Sequence, residues 1–151
     1  MLKPILLVSL FSVSLFVQAA GIGNIFGALM GKSGSLESET TVDNVLTKVS
    51  AQMNGKLPIA IDSDTRLDSI SAVPGRHLIY HYTLVTLNGD DVKAESFHNL
   101  ARPQLKNRLC DSAEMQNFLK NGVTISYLYK GKDGQPIGGA KFVPSDCGYQ
   151  R

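Results

Sequence analysis

Tryptophan is missing from this chain, and histidine, cysteine and net charge are all scarce: three His, two Cys and a formal charge of +2 over 151 residues. A charge so close to zero argues against a dedicated nucleic-acid binder, which needs a basic stripe to meet phosphates. With cysteine only at 110 and 147 there is no Cys-x-x-Cys redox pair. Gly-x-Ser-x-Gly, His-Glu-x-x-His and the Walker sequence are absent as well. Hydrophobic residues at 43% are nevertheless enough to bury a core, and the length suits one domain.

The long uncharged run lies at the start. Met1-Leu2-Lys3-Pro4 is followed by Ile5 to Val17 without a charge, and then by Val17-Gln18-Ala19-Ala20. One lysine, an apolar stretch and small exit residues predict a secretory signal peptide over 1–19, cut after Ala19, with Ala20 the second choice. No cysteine stands at that exit, as a lipoprotein would require. Losing Lys3 takes the charge from +2 to about +1, so long-range steering of partners is weak. Residues 20–40 read as a glycine-rich leader and polar linker. Gly23, Gly27 and Gly31 recur every four residues beside Phe26, so a membrane-contacting or self-associating segment is the alternative there.

From Thr41 the pattern becomes that of one folded domain, 41–151. Val42, Val45, Leu46, Val49 and Met53 form one helical stripe, with Thr40 and Asp43 resembling a capping box and Gly55 closing it. Leu57 to Asp62 is extended, with Pro58 excluding a central strand position. Leu67–Val73 and Arg76–Leu87 read as strands around Pro74-Gly75. In the second, Leu78, Tyr80, Tyr82 and Leu84 face one way and His77, Ile79 and His81 the other. Glu95 to Asn121 is helical in two pieces, with Pro103 expected in a first turn and Asp111-Ser112 as break and new cap. Val123–Lys130 and Pro136–Val143 then form a hairpin around Gly131–Gly134. The order α-β-β-α-β-β joined by hairpins predicts an α+β fold, an antiparallel sheet with helices packed on one face.

In an exported chain, Cys110 and Cys147 most simply form a disulfide. The rival, a catalytic thiol with His98 as base, has no spacing to specify it. His77 and His81 on a strand stand about 13 Å apart, too far to share a metal. Asp62, Asp64 and Asp68 lack the glycine and glutamate of a calcium loop, having Leu67 and Val73 in their places. No metal or cofactor is expected. Arg102, Lys106, Arg108 and Lys120 read as a solvated basic face. Tyr80 and Tyr82 on one hairpin and Tyr127 and Tyr129 on the other suit a cross-strand cluster, either core or a partner-binding patch joined by His77 and His81.

Several short pieces carry a resemblance: Leu57-Pro58-Ile59-Ala60-Ile61-Asp62, Ile79-Tyr80-His81-Tyr82, Phe118-Leu119 with Gly122, and Tyr127-x-Tyr129 to Asp146-Cys147. Together they resemble small exported proteins of Gram-negative bacteria, including secretion-system pilotins and periplasmic immunity proteins, although the lipoprotein cysteine of a pilotin is missing. The resemblance implies a disulfide-pinned α+β module and no catalytic residue. The expectation is a periplasmic or secreted, non-enzymatic module that binds a protein partner of the cell envelope, not nucleic acid, through a sheet edge or hairpin loops. The alternatives are a small periplasmic hydrolase using His81 or His98 beside a carboxylate, and a membrane-touching envelope protein.

Overall fold

The computed structural model describes residues 39–150. The expected signal peptide and the leader with Gly23, Phe26, Gly27 and Gly31 lie outside them. Within the described residues, helix α1 (Glu39–Asn54) is followed by strands β1 (Ile59–Ala60), β2 (Thr65–Val73) and β3 (His77–Leu84). Helices α2 (Ala94–Asp111) and α3 (Ala113–Lys120) come next, then β4 (Thr124–Gly131) and β5 (Pro136–Phe142). The five strands form one sheet in chain order, and the fold is α+β.

The sheet is mixed, which corrects the antiparallel expectation. β1–β2, β2–β3 and β4–β5 are antiparallel, but β3 and β4 run parallel, pairing His77 with Thr124 through to Leu84 with Gly131. The cause is the middle connection. A parallel pair needs a crossover of a dozen or more residues, and α2 and α3 supply it by carrying the chain back to the starting end of β3. Reading both connections as hairpin-like missed this return.

The apolar stripe of α1 is buried along its whole length: Val42, Val45, Leu46, Val49 and Met53. It packs with Phe118 and Leu119 of α3, Leu109 of α2, and one face of the sheet. That face runs in register as Ile70, Tyr80, Tyr127 and Ala140, with Leu78, Ile125 and Phe142 alongside. The alternation of β3 therefore stands as read, with Leu78 and Tyr80 in the core.

One local reading is extended and another changes. The carboxylate of Asp43 accepts the backbone N–H groups of Gly75 and Arg76 at 3.0 and 2.7 Å, fastening the β2–β3 turn to the helix, while its expected cap partner Thr40 has no described side chain. Pro103 lies inside α2 rather than in a first turn. It sits on the exposed side, where water can serve the carbonyl that its missing N–H leaves free. The break at Ser112 holds: its hydroxyl accepts from Met115 N at 3.3 Å and caps α3.

Cys110 ends α2 and Cys147 closes the turn Pro144–Cys147, and the two are disulfide-bonded with Cα atoms 5.3 Å apart. At the far end of the sheet, Gly89 and Gly131 let the 88–91 loop lie against the β4–β5 hairpin. A Cβ on Gly131 would collide with the backbone of Asn88 and Gly89. Lys132 N donates to Leu87 O at 2.7 Å across this contact.

Candidate functional site

Because a strand alternates its side chains, burying Tyr80, Tyr82, Tyr127 and Tyr129 beneath helices turns His77, Ile79, His81 and Leu128 to the opposite face. The six candidate surface residues thus lie on two faces, as the alternation along β3 implied. The tyrosines form a column on the helical side. Tyr80 and Tyr127 are buried with centroids 5.5 Å apart, and Tyr82 stacks on Tyr129 at 4.9 Å. Phe97 of α2 closes on Tyr129 at 5.0 Å, fitting over Gly138, where a Cβ would press its ring at 3.3 Å. Burial raises the hydroxyl pKa of all four, that of Tyr129 to about 12, so they stay neutral. Tyr80 and Tyr127 serve the core; Tyr82 and Tyr129 are half-buried at its margin.

On the open face, two rows cross the sheet: Ser71, Ile79, Ser126, Lys141, then Ser69, His81, Leu128, Gly139. His77 Nε2 lies 2.7 Å from Ser126 Oγ, and His81 Nε2 lies 2.9 Å from Ser71 Oγ. Burial, with the Lys141 charge adding to it, holds His77 below the ordinary histidine pKa. At the edge of the face Asp68 accepts from Thr83 Oγ1 at 2.5 Å and Arg66 Nε at 2.6 Å, with Lys130 Nζ at 3.9 Å. Burial opposes ionisation there, but the Thr83 and Arg66 hydrogen bonds prevail and keep its pKa below the usual carboxylate value.

Leu128 was not singled out in the sequence, although its place between Tyr127 and Tyr129 in a strand required it to face outward. It is 44% exposed on a central strand. Beside it, at the sheet margin, is a shallow trough of about 410 Å³ to which His81, Leu128, Lys130 and Gly139 of this face and Tyr82 and Tyr129 of the other contribute. Gly139 keeps the trough open, since a Cβ there would meet Leu128 Cδ2 at 2.9 Å and the carbonyl of Tyr127.

The sheet edges are engaged. Asn54 at the end of α1 gives Nδ2 to Ile70 O and takes Ile70 N on Oδ1, both at 2.8 Å, as a neighbouring strand would. Along β5, Arg102 Nη1 donates to Lys141 O at 3.0 Å and His98 Nδ1 lies 3.3 Å from Gly139 O. These contacts occupy backbone groups that an added strand would need, so the expected edge docking is obstructed at both positions.

The hydrolase alternative finds no support in this geometry. Among the described residues, His77, His81 and His98 have as their hydrogen-bond partners two serine hydroxyls and a backbone carbonyl, without a carboxylate to orient any of them. What the open face presents is hydroxyls, imidazoles, a lysine and a leucine beside a trough.

The DUF8479 family, described as a domain of unknown function, matches residues 40–137. No curated protein matches. Among solved structures, the chain is similar to a Pseudomonas aeruginosa protein assigned as secreted, with 22% identity and a TM-score of 0.62 over 72% of this chain and 95% of that one. It is also similar to the type 2 secretion system pilotin EpsS of Vibrio vulnificus, at 18% identity and 0.59, over 74% and 96%. The type II secretion system pilotin AspS of Vibrio cholerae gives 10% and 0.56, over 72% and 94%. At these identities the likeness is one of fold.

Proposed function

We propose that this chain, which belongs to the DUF8479 family, is an exported protein-binding module that docks a cell-envelope protein on the open face of its sheet. Cleavage after Ala19 releases it into the periplasm or beyond, where the Cys110–Cys147 bridge forms. The observation that carries the reading is the open face itself. The described helices lie on the tyrosine side, while Leu128 stands exposed beside a trough where a Cβ at 139 would collide with Leu128. An apolar anchor in a depression, ringed by hydroxyls and charges, is the usual layout of a small recognition surface. The fold shared with a secreted protein and two secretion-system pilotins supports an envelope role, and assistance to a secretion assembly is the finer form of this proposal.

Affinity capture from the native envelope tests it, comparing the wild type with Leu128→Lys. The exposed lysine should leave the melting temperature nearly unchanged and remove the captured partner. Equal capture by both proteins means that the open face is not the docking surface. Intact mass of the mature protein should begin at Ala20; material that retains Met1 contradicts export by cleavage.

A further inference from the structure

At the end of the sheet opposite the 88–91 loop, the β2–β3 turn holds an arginine in an unusual state. Arg76 has φ of 57°, in the left-handed region that residues with a Cβ rarely enter. The residue is only 7% exposed. Nη1 donates to the carbonyl of Asn121 at 3.0 Å, while Nε is buried with no hydrogen-bond partner. None of the ion pairs among the described residues includes it. A cation buried without a direct ion pair is a costly arrangement for a fold to keep. The Asn121 carbonyl, at the C-terminus of α3, accounts for one of its five N–H donors.

Arg76 lines a half-open depression of about 320 Å³, a volume within the range of ligand sites. Thr124, Ser145, Gly75 and Gly122 also line it, with Val143 and Pro144 as its apolar residues. Three separate chain segments meet here, and Arg76 is the only ionisable residue among those that line the cavity. The carboxylate of the turn, Asp43, is already engaged by the N–H groups of Gly75 and Arg76. Its negative charge beside the turn disfavours a dianion such as phosphate, whereas a single carboxylate matches one guanidinium in charge and in planar geometry.

We propose that this cavity is a carboxylate-binding site, in which Arg76, with Thr124 and Ser145 around it, receives the one carboxylate of a peptide end or of a small organic acid. The site is at the sheet end, apart from the trough beside Leu128, and does not depend on the open-face reading.

The full-length chain with its disulfide formed is titrated, under NMR observation of the Gly75, Gly122 and Thr124 amides, with acetyl-Gly-Ala, with the same peptide amidated at its C-terminus, and with acetate. Saturable shifts with the free-acid peptide and none with the amide are expected. Tighter binding of the peptide than of acetate assigns the peptide end, and equal binding assigns a small acid. Arg76→Gly, which also removes the left-handed strain, should weaken binding by at least about tenfold, the loss of a charge-assisted hydrogen bond. Should that variant not fold, the isosteric Thr124→Val decides, with an expected loss of about threefold for one neutral hydrogen bond. The proposal is overturned by an absence of saturable shifts with either acid, by equal response to the amide, or by unaltered binding in a folded Arg76→Gly or, where that variant is unfolded, in Thr124→Val.

Discussion

His77 shows how one side chain couples the open face to pH. Its imidazole is disfavoured as a cation by burial and then by Lys141, so the folded-state pKa lies below the ordinary 6.5. As pH falls, the unfolded chain takes up this proton first. The contribution of His77 to stability is therefore complete above pH 6.5 and is lost as pH drops through its lower folded value. Thermal melts between neutral pH and about pH 5 should show a shallower decline for His77→Gln than for the wild type. Parallel curves would remove burial of His77 as the cause. Histidine spacing on a strand was legible in the sequence, and so was the exclusion of a shared metal. Its serine partner was not, because Ser126 arrives from β4, forty-nine positions away.

Between elements, the decisive contacts are polar side chains that act in place of backbone. Asn54 finishes α1 and completes the hydrogen bonding of Ile70 on β2 through both amide atoms. Asn54→Ala leaves a backbone donor and an acceptor without these partners at a partly buried edge, and a loss of about 1–3 kcal/mol is expected. Denaturant unfolding measures the loss, and faster hydrogen exchange at the Ile70 amide localises it. An unchanged Ile70 exchange rate would show that water replaces the amide at no cost. The helix itself was legible from five apolar positions, all of which are buried. Its end was read from Gly55, while the residue that matters for the sheet is the asparagine just before it. Asp43 is similar: its position three residues after Thr40 suggested a cap, and the structure adds a role the sequence did not show, holding the turn at Gly75 and Arg76.

For the molecule as a whole, the bridge between Cys110 and Cys147 ties the C-terminal turn to the helical layer across a separation of 37 residues. Loop-closure entropy assigns such a link about 4 kcal/mol, a large share of the stability of a domain this size. The Cys110→Ser, Cys147→Ser double variant should unfold at clearly lower denaturant concentration; a midpoint within error of the wild type would mean that packing of Phe142 and Leu109 holds the tail unaided.

Hydrophobic period, turn residues and cysteine count are local properties, and the sequence by itself determined what depends on them: the α+β class, the strand faces, the break at Ser112 and the pairing of the two cysteines. The direction of β4 against β3 depended on where a long helical connection returned the chain, and no local period encodes that. The same holds for which of the two strand faces the helices cover, and for the meeting of Arg76 with Thr124 and Ser145. These are decided only when distant segments compete for one core, because burying one face of a shared strand necessarily exposes the other.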